Sequence, residues 1–433
     1  MQVSVESGEG LERRMRVELP SEQIDAEVEK RLKKIARNVK LDGFRPGKVP
    51  LSIVRQRYAG QVHQEVFGDL VQQSFFEAVG QEKLSPAGEP RIEPLAEAGS
   101  AGYTAVFEVM PEFEVGQLET IRVKRPKVDI GDADVDQMIE KLRKQRVTWN
   151  PVERPASEGD QVRVSFQGRL EGEEEPFEGG SAENFSLEIG ADRMIEGFEG
   201  GLIGAAAGDN RELALQFPEQ YQVEKLAGKP VTFSVQVHEV AEPVLPEVDE
   251  AFAASLGVTE GGVEAMRSEI RANMQRELDQ KVQAVTKQQV LDGVLATNAI
   301  DVPKVMVDKE VRELQERARQ EVSASGRTAG MELPASLFED QARRRVALGL
   351  IISKVISANQ MKADPKRVRQ MIEAHASSYE DPQQVIDWYQ ANREQLTALE
   401  AVALEDQVVD WVLERAQIED EETSFEALMG NMA

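Results

Sequence analysis

Apolar residues recur with three different rhythms along this chain, and one core cannot be built from all three. Near the N-terminus Met15, Val17 and Leu19 alternate, as in a half-buried strand. Ile24, Val28, Leu32, Ile35 and Val39 then follow at spacings of four and three, the pattern of one helix face. Ser21 is the expected N-cap of that helix. A second helix is predicted over about 51–79, and AGYTAVFEV at 101–109 reads as strand again. From about 152 to 243 the texture turns to short strands (VRVSF, NFSLEIG, RELALQF, VTFSVQVHEV) separated by Gly, Pro and acidic turns, with only EGFEGGLIG suggesting a brief helix. Beyond about 248, stripes such as Val263, Met266, Ile270, Met274, Leu278 and Val282 predict helix nearly throughout, punctuated by Pro303, Pro334, Pro365 and Pro382. With 433 residues, several domains are expected. The texture divides them at 1–112, 113–151, 152–243 and 244–433, the second being a connector whose helix Asp132 can cap.

Lys and Arg number 51 against 78 Asp and Glu, a net charge of −27. Such a chain repels nucleic acid as a whole, so contact with a polyanion needs a local basic patch. There is no cysteine, which removes disulfides, thiol nucleophiles and thiolate metal sites. No signal-peptide pattern is visible at the N-terminus, and the longest apolar run, VALGLII, is far short of a membrane span. A cytoplasmic location is the expectation.

One patch meets the basic requirement. From Arg31 to Lys48 seven cations (Arg31, Lys33, Lys34, Arg37, Lys40, Arg45, Lys48) accompany one anion, Asp42. The run ends in DGFRPGKVP, which superficially resembles a phosphate-binding loop. It does not fit one: Gly43 and Gly47 stand one residue too close, Val49 occupies the hydroxyl position, and Pro46 removes an N–H from the cradle. Two readings of the loop stay open. It is a plain turn, or it is a stiff docking tip that offers Phe44 as apolar anchor and Arg45 as bidentate cation.

Other chemistry is sparse. His63, His238 and His375 share no ligand spacing; His238 falls on the polar side of a strand, and His375 is expected to be half-buried on a helix. GDADVD lacks the glycine and terminal glutamate of a calcium loop. Eight of the thirteen methionines lie after residue 248 (Met266, Met274, Met306, Met331, Met361, Met371, Met429, Met432). Each suits a core, and together they would suit an adaptable binding surface.

The stretch VRVSFQGRLEGEEEPFEGG, NFSLEIGADRMIEGFEGGLIGAAAGD, LQFPEQY and FSVQVHEV resembles the FK506-binding-protein family of prolyl isomerases over about ninety residues. Carried over by position, the resemblance implies a pocket of Phe166, Phe177, Glu178, Phe185, Met194, Ile195, Phe198, Tyr221 and Phe233. Phe198 stands where many members have Trp, Phe166 where many have Tyr, and Glu178 where Asp is usual. A purely structural reading of these aromatics is available, but their order and spacing favour the pocket. Its chemistry would need no cofactor, nucleophile or metal. Rotation about X–Pro must break amide resonance, against a barrier of about 18–20 kcal/mol. A dry apolar pocket favours the less polar, twisted amide over the planar ground state.

The whole order resembles bacterial trigger factor: MQVSVES at the start, the basic GFRPGKVP loop, DADVDQMI in the connector, the isomerase-like insert, and a closing SFEALM. The resemblance implies a multidomain α+β chain. An N-terminal α+β ribosome-docking domain would precede an FKBP-like antiparallel β-sheet with a short helix and all-α C-terminal arms. It implies an ATP-independent chaperone that meets nascent and unfolded polypeptides at the exit tunnel of the large ribosomal subunit. Gly43, Phe44, Arg45, Pro46, Gly47 and Lys48 would contact protein and rRNA there. It further implies a homodimer off the ribosome and wider roles in protein transport and cell division. The alternatives are a stand-alone prolyl isomerase and an RNA-binding translation factor without clients.

Overall fold

The computed structural model describes all residues except 1, 40, 42–43, 45–48, 96–101, 174, 222, 224, 325–332, 378 and 431–433. The chain forms two compact units, and it passes between them three times. Unit 1 comprises 1–126 and 282–421; unit 2 comprises 127–281 and 422–433.

Unit 1 begins with a hairpin of β1 (Gln2–Ser7) and β2 (Glu12–Glu18), then α1 (Ser21–Asn38), α2 (Leu51–Gln81), β3 (Arg91–Pro94) and β4 (Gly102–Glu108). The antiparallel sheet has the order β1-β2-β4-β3, with Met15 opposite Ala105 and Val17 opposite Tyr103. This inward row meets Ile24 and Leu32 of α1 and Val54, Val62, Val66 and Phe75 of α2 in one core. Tyr103 is fully buried, and its hydroxyl shares a 2.9 Å hydrogen bond with that of Ser74. Ser21 is not the cap of α1: it lies inside the helix, Pro20 holds the cap position, and no side chain caps it. Strand β5 (Arg122–Lys127) follows.

Unit 2 opens with α3 (Asp132–Gln145) and β6 (Thr148–Val152). Gly131, not Asp132, precedes α3, and Asp134 reaches back to accept the Gly131 N–H at 2.8 Å. Strands β7 (Gln161–Leu170), β8 (Ser181–Glu188), β9 (Asn210–Gln216) and β10 (Pro230–Val244) complete an antiparallel sheet. β10 is its centre: it pairs β7 along one edge and β9 and β6 along the other, while β8 pairs β7. The expected brief helix is a single 3-10 turn, Gly200–Leu202. Helix α4 (Glu250–Ser255) follows, capped by Asp249, whose carboxylate accepts the Phe252 N–H at 2.8 Å. Within this unit α5 (Gly262–Thr297) buries Met266, Ile270, Met274 and Leu278. Arg267 and Arg271 pair with Asp136 and Asp132 of α3.

Back in unit 1, α6 (Lys304–Ala324), α7 (Glu339–Ala358), α8 (Pro365–Ala376), α9 (Pro382–Ala391) and α10 (Arg393–Leu413) make the helical part. Pro365 and Pro382 each start a helix, where their missing N–H costs nothing, behind capping Asp364 and Asp381. The second half of α5 packs with α7 and α10 on the connector through Ile121, Val123, Val290, Val294, Ile351 and Val412. Lys287 of α5 lies 2.6 Å from Glu405 and 2.8 Å from Asp406; burial works against its charge, but these two carboxylates hold its pKa above the ordinary value.

One short strand accompanies the helices of the C-terminal region. The acidic segment β11 (Gln417–Glu422) pairs with the basic β5, and Arg125 meets Asp420 at 2.8 Å. A short helix, α11 (Phe425–Met429), follows in unit 2. Among the described residues no helix is long and apolar enough to cross a membrane.

The methionine expectation changes as well. Met331 and Met432 lie outside the described residues; the other six are buried or half-buried. Exposed large apolar side chains among the described residues of this region include instead Leu337, Tyr379, Trp388 and Val402, with Ile418 on β11.

Candidate active site

The inward face of the unit 2 sheet is paved with phenylalanine. Phe166 on β7 and Phe233 on β10 are buried, and Phe198 beneath them is 0% exposed. Phe198 stands edge-on to both, with centroids 5.5 and 5.2 Å away. Phe177 touches Phe233 and Phe217 at 6.2 and 5.7 Å, and Phe217 lies 4.7 Å from Tyr221. Phe185 leans edge-on over Phe166 at 6.0 Å and is 41% exposed, so it stands at the rim. Met194 and Ile195 pack on the same cluster, half-buried. Edge-to-face contacts set the positive ring edge against a negative face, which fixes tilt as well as distance. With Phe in place of Trp and Tyr, the floor carries no hydroxyl or indole N–H that would need a partner.

Two glycines make this density possible. A Cβ on Gly168 would come within 2.5 Å of the Phe233 ring and 2.7 Å of the Phe177 ring, and one on Gly180 within 2.7 Å of Phe177. Gly168→Ala is therefore expected to push both rings apart at a cost of about 1–3 kcal/mol. Urea unfolding and a peptide isomerisation assay of the variant check this; unchanged values in both would contradict the packing.

Phe217 and Glu199 belong to the constellation and were not among the residues expected from sequence. Phe217 could have been found in LQFPEQY, four residues before Tyr221. Glu199 gave no signal, since a glutamate beside glycines reads as a solvated turn. It is buried, and its two oxygens accept four backbone N–H groups: Gly190 at 2.9, Asp192 at 3.0, Arg193 at 2.8 and Met194 at 3.1 Å. Burial pushes its pKa up, yet these four donors outweigh burial and hold it below the usual carboxylate range. The loop that presents Met194 and Ile195 is thus strung on one carboxylate. Asp160, also buried, is held by Arg154 through paired bonds of 2.5 and 2.9 Å, and this partner lowers its pKa.

Glu178 is exposed, and among the described residues none pairs with it. His63 is exposed on α2; His375 is exposed rather than half-buried, its ring tilted against that of Tyr379 with centroids 5.4 Å apart; His238 lies 2.7 Å from the Ser165 hydroxyl. Among the described residues no three His, Asp or Glu gather as metal ligands. Of the basic loop, Gly43, Arg45, Pro46, Gly47 and Lys48 lie outside the described residues. Phe44 is 37% exposed, Val49 is buried in the unit 1 core, and Pro50 holds the cap position just before α2. Three cations of the approach helix are already partnered, Lys30 by Glu27, Arg31 by Glu65 and Asp69, and Lys33 by Glu29. Lys34 and Arg37 have no ion pair among the described residues.

An antiparallel sheet wrapped on an aromatic box with a glycine-rich 3-10 turn defines a prolyl isomerase of the FK506-binding class, and residues 152–238 match the family described as FKBP-type peptidyl-prolyl cis-trans isomerase. Around it, residues 1–142 match the family described as bacterial trigger factor protein and 262–414 that of its C-terminus. Trigger factor of Stutzerimonas stutzeri (strain A1501) is 49% identical over 98% of this chain and 97% of its own. That of Pseudoalteromonas atlantica (strain T6c / ATCC BAA-1087) is 45% identical over 100% of both. A solved structure of the trigger factor chaperone, concerned with promiscuous substrate recognition in folding and assembly, shares the fold at 19% identity, covering 96% of this chain and 99% of that one with a TM-score of 0.50. The chain belongs to the bacterial trigger factor family, as a chaperone that carries a peptidyl-prolyl cis-trans isomerase domain.

Proposed function

We propose that this protein docks on the large ribosomal subunit in the cytoplasm, receives nascent and unfolded chains there without ATP, and isomerises their X–Pro bonds in the aromatic box of unit 2. The observation that carries the isomerase part is the box itself. Phe198 forms a dry floor, Phe166, Phe177 and Phe233 form walls, Phe185 and Tyr221 stand at the mouth, and Met194 and Ile195 sit on the tethered loop. A proline ring held there leaves water, and its amide loses the solvation that favours the planar, polar form. Glu178, at the rim, would face the peptide backbone rather than the ring.

Residues 1–112 would serve docking, 113–151 linkage, 152–243 isomerisation and 244–433 client binding. The docking tip would use Gly43 to Lys48, with Phe44 as anchor and Arg45 and Lys48 toward rRNA phosphates. The support is Phe44, a large apolar side chain left exposed next to buried Val49, together with Lys34 and Arg37 of α1, which have no ion pair among the described residues. Exposed Trp388, Tyr379, Val402 and Leu337 support client binding along the helices. Dimerisation off the ribosome, and roles in transport and cell division, rest on family likeness. Reversing the charges of Arg45 and Lys48 together is expected to abolish cosedimentation with ribosomes at physiological salt while peptide isomerisation stays within about twofold, because binding to a polyanion weakens with every phosphate that is no longer neutralised. Undiminished cosedimentation would sink the docking assignment.

A further inference from the structure

Phe185 reaches the aromatic box only because the sheet is irregular beside it. Side chains of a regular strand alternate between faces, so Ala182 and Phe185, three residues apart, would point to opposite sides. Yet Ala182 lies opposite Phe166, Phe185 lies opposite Val164, and both face the core. The register shifts between these pairs: Glu183 and Asn184 together oppose the single residue Ser165. Asn184 takes φ 51°, the left-handed conformation that asparagine tolerates better than most residues. A second shift falls on the other side of β7, where His238 is the extra residue of β10.

One hydroxyl joins the two irregularities. Ser165 Oγ accepts the Asn184 N–H at 3.1 Å and shares a 2.7 Å hydrogen bond with His238 Nε2. The extra residue of a bulge is left out of the strand ladder, and here Ser165 supplies the missing acceptor. We infer that Ser165 and His238 are positioning residues of the isomerase: by holding the β8 bulge they turn Phe185 to the mouth of the box, where it grips the residues flanking proline. Neither side chain touches the box. Both lie on the opposite face of the sheet and act through the backbone of β8. The inference rests on the aromatic box being the isomerase site.

Phe185 stands at the rim, while the twisting amide would lie over Phe198. Loss of the device therefore weakens peptide binding more than it slows rotation. In a protease-free peptide isomerisation assay on the full chain, Ser165→Ala is expected to raise KM roughly three- to tenfold with kcat within about twofold. Ser165→Thr, which keeps the oxygen, should stay near the parent. Hydrogen exchange at the Asn184 amide should speed up in Ser165→Ala and not in Ser165→Thr. Combining Ser165→Ala with Phe185→Ala should be no worse than Phe185→Ala alone, because both remove the same interaction. Should Ser165→Ala lose its thermal unfolding transition, His238→Ala with Phe185→Ala provides the same cycle. An unchanged KM in folded Ser165→Ala, or additive losses in the cycle, would overturn the inference while leaving the isomerase reading intact. If Phe198→Leu kept full activity, the isomerase reading would fail and this inference with it.

Discussion

Replacing Phe198 with alanine is expected to remove peptide isomerisation and to lower the stability of unit 2 by about 3–5 kcal/mol. The ring is 0% exposed and stands edge-on to Phe166 and Phe233, so truncation leaves a cavity beneath both. Phe198→Leu separates the two effects. It retains most of the volume, keeps unit 2 folded in a urea titration, and still removes the flat floor. Suppression of aggregation of an unfolded protein should survive in Phe198→Leu, because the exposed aromatics of the helical part lie in unit 1. A parallel fall of both activities would contradict the separation of client binding from isomerisation.

The second large effect concerns Glu199. With Gln in its place one oxygen at most accepts, and the NH2 group faces two of the four N–H donors. Each buried donor left without a partner costs about 1–3 kcal/mol, so Glu199→Gln is expected to cost roughly 2–5 kcal/mol and to loosen the Met194–Ile195 loop. The same geometry fixes a pH dependence. Glu199 and Asp160 both have folded pKa values below their unfolded ones, near 4. Their stabilisation is complete above the unfolded values and is lost as pH falls through the folded ones. Urea unfolding followed from pH 6 to pH 2 should show unit 2 weakening below about pH 4, and less steeply in Glu199→Gln. An equally steep decline in that variant would show that Glu199 carries none of the acid sensitivity.

Much of the fold was legible because its signals are local. Met15 and Val17 alternate and β2 forms; Pro365 and Pro382 open helices behind aspartates; Phe166, Phe198 and Phe233 meet as their order implied. What escaped depends on partners far along the chain. The strand QIEDEE has no apolar rhythm at all and becomes β11 because a basic strand nearly three hundred residues earlier takes it up. Glu199 looks like a surface residue until four amides from its own loop converge on it. His238 sits at a ladder irregularity, and period-two counting assumes that no such irregularity exists. Ser21 and Asp132 failed as caps because glycine or proline one position earlier took the role.

The threefold crossing between units has a consequence for how this protein is made. Unit 1 draws on two separate stretches, 1–126 and 282–421, and 155 residues of unit 2 are threaded between them, from 127 to 281. As translation proceeds, the aromatic box of 152–243 can close from contacts within itself. The seam that buries Leu118 and Ile121 against Val294 and Val412 must wait until the last helices have emerged. During that interval the connector's apolar residues have no cover, and the entropic cost of closing so long a loop falls on the final step. A protein that shelters unfinished chains therefore passes through a prolonged unfinished stage of its own, in which it presents the same kind of uncovered apolar surface that its completed copies are built to meet.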